Sequence, residues 1–328
     1  MDKVFVTRRL PGTALEDAAQ VCDLEIWPEE RPLSPEELRH HVKGKTGLLS
    51  MLTDRIDAPL MDAAHSLKVV SNYAVGFDNI DVTAATAAKI AVGNTPDVLT
   101  DATADLAFSL LMAAARRLME GWTVSRTGQF EIWSPTMLLG SDVHGATLGI
   151  VGMGRIGRAM ARRARGFDMT VRFCGGRLLP DEVEGATRTD LSTLLRTSDF
   201  VSLHVPLTNE THHLIDARAL GSMKPGSVLI NTARGPVVDQ DALVSALRRG
   251  AIGCAALDVT TPEPLPMDHP LFQLDNCIIV PHLGSATKRT REKMARMAVE
   301  NLLAGLRGEP LPHCVNPEVY ASPTVLTS

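Results

Sequence analysis

Three polar residues follow predicted strands in the C-terminal half of the chain and could together reduce a carbonyl group. Arg234 follows the strand SVLIN, Glu263 follows AALDV, and His282 follows CIIVP. Carboxyl ends of parallel strands meet at one edge of a sheet, so we expect these side chains to converge. A guanidinium can bind a carboxylate and polarise a carbonyl, and an imidazole, with an intrinsic pKa of about 6.5, can give or take a proton. A carboxylate beside the imidazole fixes its tautomer and favours its charged form. The set fits hydride transfer to a 2-oxo acid, with His282 as proton donor.

Each of these residues also has a structural interpretation when it is taken alone. Arg234 could be a charge that flanks a helix, and Glu263, between two prolines, could lie on the surface of a loop. His282 could be a capped or solvated histidine. Their joint placement after consecutive strands of one predicted sheet favours the catalytic interpretation.

Residues 147–157, TLGIVGMGRIG, have the spacing of a phosphate-binding loop between a strand and a helix. Gly152 would make the tight turn, Gly154 would let the backbone approach a pyrophosphate, and Gly157 would let the helix pack closely on the strand. The helix N-terminus would offer free N–H groups to the anion. An ordinary glycine-rich turn is the alternative, but the flanking strand and helix favour a dinucleotide site.

The end of the next predicted strand indicates which dinucleotide is bound. It reads Phe173-Cys-Gly175-Gly176-Arg177, and the next acidic residue is Asp181. A free ribose 2′-hydroxyl is normally bound by an acidic residue at this point, whereas an arginine suits a 2′-phosphate. The pattern favours NADP(H), with NAD(H) also possible. A solvated loop arginine is the alternative interpretation of Arg177.

The elements that position these residues alternate between short apolar runs and amphipathic segments, which predicts an α/β fold with parallel sheets. We expect a first domain at 1–98 plus 287–328, completed by the last helix, and a dinucleotide-binding domain at 99–286. The Ala- and Leu-rich helix at about 101–117 is apolar enough to serve as an interface between subunits.

The composition of the 328-residue chain narrows the class of protein. Hydrophobic residues make up 45% of it and charged residues 22%, which is typical of a globular protein. A net charge of −5 gives no general attraction to nucleic acid or anionic lipid, and we expect neither as a partner. The five cysteines form no CxxC motif, so we expect reduced thiols, no metal site and a cytoplasmic location.

The order GMGRIG, NTARGPVVD, LDVTTPEP and PHLGSAT resembles the D-2-hydroxyacid dehydrogenases over nearly the whole chain. The segments TPDVLTDATADLAFSLL and NLLAGLRGEP are similar to the glyoxylate/hydroxypyruvate reductase branch. The resemblance implies two Rossmann-like domains with a cleft between them, a homodimer, a small 2-oxo or 2-hydroxy acid as substrate, and Arg234, Glu263 and His282 as the catalytic set.

The resemblance also implies the residues that contact each ligand. The substrate contacts are Val75, Gly76, Arg234, His282 and Ser285, with the carboxylate bound by the backbone N–H groups of the Val75–Gly76 turn. The cofactor contacts are Thr103, Gly152, Met153, Gly154, Arg155, Ile156, Gly157, Gly175, Gly176, Arg177, Val205, Pro206, Thr232, Ala233, Arg234, Asp258, His282 and Gly284.

One departure from the branch leaves the substrate preference open. Some members have a WxPxW segment whose second tryptophan reaches the partner subunit's site, whereas this chain has Trp133-Ser-Pro-Thr-Met137. Methionine is smaller and more pliable than tryptophan. The leading hypothesis is NADPH-dependent reduction of glyoxylate and/or hydroxypyruvate. The alternatives are a 2-oxo acid reductase of broader specificity and a nucleotide-sensing binding protein on the same fold.

Overall fold

The computed structural model describes residues 1–176 and 185–321. In chain order, the strands are β1 (Lys3–Val6), β2 (Asp23–Ile26), β3 (Gly47–Ser50), β4 (Val69–Asn72), β5 (Ala91–Gly93), β6 (Thr147–Val151), β7 (Thr170–Cys174), β8 (Ala186–Arg188), β9 (Phe200–Leu203), β10 (Val228–Asn231), β11 (Cys254–Leu257) and β12 (Cys277–Ile279). The helices are α1 (Ala14–Ala19), α2 (Pro35–His41), α3 (Ala58–Ala63), α4 (Val82–Ala87), α5 (Thr100–Ala115), α6 (Leu118–Arg126), α7 (Arg155–Arg165), α8 (Leu191–Thr197), α9 (Ala217–Ser222), α10 (Gln240–Arg248) and α11 (Lys288–Leu306). Short 3₁₀ helices span Gly235–Val237, Pro270–Gln273 and Pro317–Tyr320.

The chain forms two compact units. Unit 1 comprises Met1–Leu99 and the chain from Thr287 onward, and unit 2 comprises Thr100–Ala286. Unit 1 contains a five-stranded sheet in the order β2-β1-β3-β4-β5, with every pair parallel. Strands β3 and β4 are buried along their whole length, as expected for strands covered on both faces.

Helix α11 packs closely on the sheet of unit 1. A Cβ at Gly305 would lie 2.5 Å from Cβ of Val69, so only glycine permits this approach without a shift. The hydroxyl of Ser71 donates a hydrogen bond of 2.7 Å to the carbonyl of Ala298. The last helix of the chain therefore completes the core of the N-terminal segment.

Unit 2 contains a seven-stranded parallel sheet in the order β12-β11-β10-β9-β6-β7-β8. The chain leaves β6 in one direction to form β7 and β8, then returns to the other side of β6 to form β9 to β12. Ligands of such sheets bind beyond the carboxyl ends of the strands, at the point where the order reverses. The structure confirms the predicted α/β fold with parallel sheets.

Helix α5 packs mainly against its own unit, and the role of 101–117 as a subunit interface stays a prediction. Its apolar side chains, including Phe108 and Leu111, are buried in the core of unit 2. Its exposed acidic residues bind α7, where Arg163 Nε donates to Asp105 Oδ1 at 2.7 Å. Arg117, at φ 51°, separates α5 from α6.

The exposed large apolar side chains of unit 2 cluster in sequence just after α5, and we call residues 118–139 the apolar arm. Helix α6, which begins this arm, has no buried residue. The exposed apolar residues of the arm are Leu118, Met119, Trp122, Phe130, Ile132, Trp133 and Leu139. Exposed large apolar side chains in such number within one segment are typical of an interaction site.

Candidate active site

The three glycines of the phosphate-binding loop have the local conditions that such a loop requires. Gly152 has a φ of 98°, and a Cβ there would lie 2.7 Å from the backbone of His204. A Cβ at Gly157 would lie 2.3 Å from the carbonyl oxygen of Gly152, so only glycine lets α7 pack against the turn. A Cβ at Gly154 would meet nothing within 4 Å. The loop is therefore packed at its two ends and open in the middle.

The open position lies at the N-terminus of α7. Gly154 is the residue before the helix and provides no side-chain cap for its first N–H groups. Unsatisfied N–H groups and the positive end of the helix dipole suit a pyrophosphate. Of the neighbouring predicted contacts, Met153 is buried, Ile156 is half-buried and Arg155 is exposed. The side chain of Met153 is therefore turned into the protein, and only its backbone borders the open part of the loop.

The turn that follows β7 is fastened to the phosphate-binding loop. The amide of Met153 donates a hydrogen bond of 3.2 Å to the carbonyl of Gly175. Gly175 and Gly176 have φ values of 69° and 96°, and a Cβ at Gly176 would lie 3.0 Å from the backbone of Met153. Arg177, the predicted ligand of the 2′-phosphate, lies outside the described residues.

The predicted contacts after β9 also lie at this loop. Val205 is half-buried, and its Cγ1 atom would lie 2.9 Å from a Cβ at Gly152. Pro206 is exposed, and its carbonyl accepts a hydrogen bond of 2.6 Å from the hydroxyl of Thr211. The end of β9 thus contacts the residue that turns the chain from β6 to α7.

His282 and Glu263 form a close pair beyond the ends of β12 and β11, which are adjacent strands. Nδ1 of His282 lies 2.5 Å from Oε1 of Glu263. The two side chains are 26% and 33% exposed, so the pair is accessible to a small substrate. The amide of Thr260 lies 3.4 Å from the other carboxylate oxygen of Glu263 and donates to it. With Nδ1 occupied in this way, Nε2 is the ring nitrogen that can exchange a proton with a ligand.

A buried carboxylate fixes the turn that carries His282. Asp258 is 2% exposed; its Oδ1 accepts the amide of Leu283, and its Oδ2 accepts the amide of Gly284 at 2.9 Å. The hydroxyl of Thr103 donates to the carbonyl of Gly284 at 3.2 Å. His282 has a φ of 53°, which is a strained conformation for a residue with a side chain. Asp258 and Thr103 therefore hold the turn in a conformation that it would not adopt alone.

The environment of Asp258 has opposing effects on its ionisation. Burial raises the pKa of this carboxyl, while the amides of Leu283 and Gly284 and the nearby His282 lower it. Burial is the largest of these effects. The two amides donate to the two oxygens, an arrangement that suits the carboxylate form as acceptor. The resemblance places Asp258 near a cofactor, and the geometry gives it a second task in positioning His282.

Arg234 lies beyond the carboxyl end of β10, which is the neighbour of β11. Asn231 fixes the segment before it: its Oδ1 accepts the amide of Ala233 at 3.0 Å, and its Nδ2 donates to the carbonyl of Arg234 at 2.9 Å. A Cβ at Gly235 would lie 2.0 Å from the carbonyl oxygen of Thr260. The segment after β10 is therefore pressed against the segment that leads to Glu263.

The remaining predicted contacts of unit 2 lie on these same segments. Thr232 and Ala233 are each 8% exposed, and the hydroxyl of Thr232 has no hydrogen-bond partner among the described residues. Ser285 is half-buried and follows Gly284 directly. The structure thus gathers the predicted residues 232–234, 258, 263 and 282–285 on three neighbouring strand ends.

The predicted carboxylate-binding turn, Val75–Gly76, belongs to unit 1, where it follows β4. Nδ2 of Asn94 donates to the carbonyl of Val75 at 2.8 Å, and Nδ2 of Asn72 donates to the carbonyl of Gly76 at 3.0 Å. Asn72 is fully buried, and its Oδ1 accepts the hydroxyl of Ser50 at 3.1 Å. Sequence reasoning missed both asparagines, and the one available signal was a polar residue, Asn72, at the end of a buried strand.

His204 is a second residue that sequence reasoning missed. Its Nε2 atom lies 2.9 Å from the hydroxyl of Ser202, and its Nδ1 atom is shielded from solvent without a hydrogen-bond partner among the described residues. Burial lowers the pKa of His204 to about 4. The imidazole is therefore neutral at physiological pH, while the backbone of the same residue packs against Gly152.

Within residues 1–176 and 185–321, no group of three or more His, Cys, Asp or Glu side chains is arranged to hold a metal ion. Over the same residues, no helix is both long and apolar enough to span a membrane.

Comparison with known proteins identifies relatives over the whole length of the chain. Residues 108–284 match the model of the D-isomer specific 2-hydroxyacid dehydrogenase, NAD binding domain. The glyoxylate reductase of Korarchaeum cryptofilum is 50% identical over 97% of this chain and 96% of its own. The glyoxylate reductase of Thermococcus onnurineus is 48% identical, with the same coverage of both chains.

Two solved structures have the same fold over nearly the whole chain. A protein from Thermus thermophilus superposes with a TM-score of 0.89 and 49% identity, covering 95% of this chain and 99% of its own. An NADPH-dependent glyoxylate/hydroxypyruvate reductase from Sinorhizobium meliloti, in complex with NADP and malonate, superposes with a TM-score of 0.85 and 31% identity, covering 98% of each chain. These comparisons confirm the resemblance of the motifs: the chain belongs to the D-isomer-specific 2-hydroxyacid dehydrogenases, NAD(P)-dependent oxidoreductases, in the branch whose curated members are glyoxylate reductases.

Proposed function

We propose that this enzyme reduces glyoxylate, hydroxypyruvate or both, to glycolate and D-glycerate, with NADPH as the reductant and His282 as the proton donor. The pairing of His282 Nδ1 with Glu263 Oε1 at 2.5 Å carries the proposal. An imidazole bound in this way to a carboxylate is suited to donate a proton from Nε2. The names of the relatives from Korarchaeum and Sinorhizobium support the choice of substrate and cofactor.

The open middle of the phosphate-binding loop fits a dinucleotide. We propose that the amides around Gly154 hold its pyrophosphate and that Gly175 and Gly176 leave room for the adenosine ribose. No acidic side chain lies within 174–176 to bind a free 2′-hydroxyl, which favours NADPH over NADH. When it is bound, this cofactor supplies the hydride that reduces the carbonyl carbon.

Arg234 would bind and polarise the substrate, and His282 would protonate it. The guanidinium of Arg234 binds the substrate carboxylate and polarises the neighbouring carbonyl, whose oxygen gains negative charge as the hydride arrives. Nε2–H of His282 then donates its proton to that oxygen, and Glu263 stabilises the imidazolium before the transfer. One hydride and one proton convert the 2-oxo acid to the 2-hydroxy acid.

Substrate binding by residues of the turns is a further part of the proposal. We assign the carboxylate to the backbone amides of Val75 and Gly76, and a polar contact to Ser285, which follows the His282 turn. Backbone N–H groups bind carboxylates without a charged side chain.

A turnover assay tests the proposed function most simply. Purified protein is mixed with NADPH or NADH and with glyoxylate, hydroxypyruvate or pyruvate, and cofactor oxidation is followed. We expect the highest kcat/KM for glyoxylate or hydroxypyruvate with NADPH. Comparable values for all three acids would favour the broader 2-oxo acid reductase, which Met137 keeps open. Binding of NADPH without turnover of any acid would favour a nucleotide-sensing protein and contradict the proposal.

The cofactor preference has its own test in Arg177. Arg177→Ala should raise KM for NADPH far more than KM for NADH. The difference should correspond to the loss of one charge-assisted hydrogen bond, about 1.5–3 kcal/mol. Arg188→Ala, an exposed arginine of β8, is the matched control and should change neither value. An equal loss for both cofactors would show that Arg177 does not recognise the 2′-phosphate.

We also propose a homodimer formed through the apolar arm. Seven large apolar side chains of this arm are exposed, among them Trp133 at 73% and Ile132 at 77%. Burying such side chains against a second copy would contribute about 1.5–3 kcal/mol for each one fully covered. Light scattering should give twice the 35.3 kDa chain mass, and Trp133→Asp should lower it toward one chain. A wild-type monomer at assay concentrations would contradict the dimer.

We propose a cytoplasmic location on the basis of the cysteines. All five are free thiols, and burial raises the pKa of each, for example to about 12 for Cys277. Cysteines that form no disulfide are typical of a reducing compartment. Cell fractionation with an antibody to the protein tests this location, and recovery with secreted proteins would contradict it.

A further inference from the structure

Three successive carbonyl groups at the Val75–Gly76 turn are tied to donors within unit 1. Each accepts one hydrogen bond: that of Ala74 from the amide of Thr95 at 2.8 Å, that of Val75 from Nδ2 of Asn94 at 2.8 Å, and that of Gly76 from Nδ2 of Asn72 at 3.0 Å. The cis peptide bonds of the described residues lie at Thr261–Pro262 and Glu263–Pro264, so the bonds of this turn are trans.

This arrangement fixes the direction of three amides. In a trans peptide the N–H points away from the carbonyl of the preceding residue. Anchored carbonyls at Ala74, Val75 and Gly76 therefore turn the N–H groups of Val75, Gly76 and Phe77 to the opposite side. Within the described residues, none of these three amides donates a hydrogen bond to the protein. Successive N–H groups of this kind form an anion-binding concavity.

Asn94 differs from the other two donors because it is the side chain that sets the Val75–Gly76 peptide. Its own backbone is held on both sides: its amide donates to the carbonyl of His313 at 3.2 Å, and its carbonyl accepts Nδ2 of Asn301 at 2.9 Å. Asn301 is fully buried on α11, and its Oδ1 accepts the amide of His313 at 3.0 Å. The Asn94 side chain is thus presented from a rigid support.

We infer that Asn94 is a positioning residue for the substrate carboxylate. By holding the carbonyl of Val75, it aims the amide of Gly76 at the carboxylate without touching the substrate. This inference rests on the proposed function, in which that amide binds the carboxylate. Asn72 acts in the same way on the next peptide, which carries the amide of Phe77, so its effect on the carboxylate is smaller.

The test compares two variants of Asn94. Asn94→Ala removes the donor, and Asn94→Asp keeps the size of the side chain but places a carboxylate oxygen against the carbonyl of Val75. Without its anchor, the peptide can rotate away from the carboxylate. We expect KM for glyoxylate to rise about tenfold in Asn94→Ala, which corresponds to about 1.4 kcal/mol, and more in Asn94→Asp. KM for NADPH should stay unchanged in both.

Asn316→Ala is the matched control because Asn316 is another buried asparagine of unit 1. Its Nδ2 donates to the carbonyl of Ile90 at 3.0 Å, and its Oδ1 accepts the amide of Val92 at 2.8 Å. Within the part of the chain that the structure describes, none of its hydrogen bonds reaches the Val75–Gly76 turn. We expect Asn316→Ala to lower Tm without raising KM for glyoxylate.

A second readout does not depend on turnover. Oxalate is titrated into isotope-labelled protein, and the amide resonances of Val75 and Gly76 are followed by NMR. In the wild type and in Asn316→Ala these amides should shift with the same apparent Kd, whereas Asn94→Asp should weaken oxalate binding about tenfold or more. The oxalate titration of Asn94→Asp remains informative if Asn94→Ala fails to fold.

The outcomes separate this inference from the proposed function. If Asn94→Asp has a smaller effect on KM than Asn94→Ala, or if KM for glyoxylate and NADPH rise together, Asn94 serves packing only and the inference is wrong. If the wild type reduces no 2-oxo acid, the proposed function fails. The oxalate titration then still decides whether Asn94 orients these amides.

Discussion

The two units present polar groups of different chemical kinds at the ends of parallel strands. Unit 2 presents ionisable side chains, Arg234, Glu263 and His282, at the ends of three neighbouring strands. Unit 1 presents backbone amides at the Val75–Gly76 turn, whose carbonyl groups accept hydrogen bonds from Asn94 and Asn72. A sequence identifies ionisable side chains directly by residue type. Whether a backbone amide can bind a ligand depends on the orientation of its peptide, which residue type does not give. The difference explains why the site in unit 2 could be reasoned out from residue types and the site in unit 1 came only from family resemblance.

The comparison predicts that the largest losses of kcat follow changes in the side chains of unit 2. His282→Ala removes the proposed general acid, and kcat should fall on the order of 10²–10⁴-fold. The measurement is steady-state reduction of glyoxylate at saturating NADPH. His144→Ala is the control because His144 is an exposed histidine of the same unit, 77% accessible at its side chain. Equal rates in the His282 variant and the wild type would remove His282 from the mechanism.

Arg234→Lys tests whether the geometry or only the charge of this side chain matters. Lysine keeps the positive charge but loses the planar fork that binds a carboxylate through two hydrogen bonds. We expect kcat/KM for glyoxylate to fall by about 1.5–3 kcal/mol, with NADPH binding nearly intact. The matched control is Arg248→Lys on α10, where the arginine is exposed. A variant that loses NADPH affinity while KM for glyoxylate is unchanged would place Arg234 in the cofactor site.

The buried histidine of unit 2, His204, should make the unfolding free energy depend on pH. Its pKa is lowered to about 4 by burial, so the unfolded chain, with a histidine pKa of about 6.5, takes up a proton first as the pH falls. Its contribution to stability is present above about pH 6.5 and is lost progressively toward pH 4. At about pH 5 this costs about 2 kcal/mol of unfolding free energy.

His204→Gln should therefore reduce the difference in unfolding free energy between about pH 7 and pH 5 by that amount. Urea unfolding at the two pH values measures it. His144→Gln, at an exposed histidine, should leave the difference unchanged. If His204→Gln behaves like His144→Gln, the imidazole of His204 is not held in its neutral form by the folded enzyme.

The elements of the fold were predictable wherever their signals are local. The strand β6, the glycine spacing and the start of α7 follow from residues that are adjacent in sequence, and the structure shows them at Thr147–Val151 and Arg155–Arg165. The role of α5 was not predictable, because an apolar stripe does not state whether it faces a core or a partner. The structure buries Phe108 and Leu111 within unit 2 and exposes the apolar arm instead.

In the candidate site too, features with local sequence signals were predictable and features that depend on tertiary contacts were not. Glu263 and His282 could be paired from the sequence, because two strand ends and two residue types suffice. The positioning role of Asp258 could not be, because it depends on the amides of Leu283 and Gly284 meeting a buried carboxylate. Asn94 was missed for the same reason, since its partner is a carbonyl that is nineteen positions away in the chain.

The pH dependence of Glu263→Gln tests the central claim most directly, which is that His282 donates the proton while Glu263 stabilises its charged form. Reduction needs the imidazolium, so the rate falls as the pH rises and the imidazole loses its proton. Glutamine keeps a hydrogen-bonding partner near Nδ1 but removes the negative charge. We predict that kcat for glyoxylate reduction declines at a clearly lower pH in Glu263→Gln than in the wild type. Superimposable pH–rate profiles would contradict the pairing of Glu263 with His282 as the source of the catalytic acid.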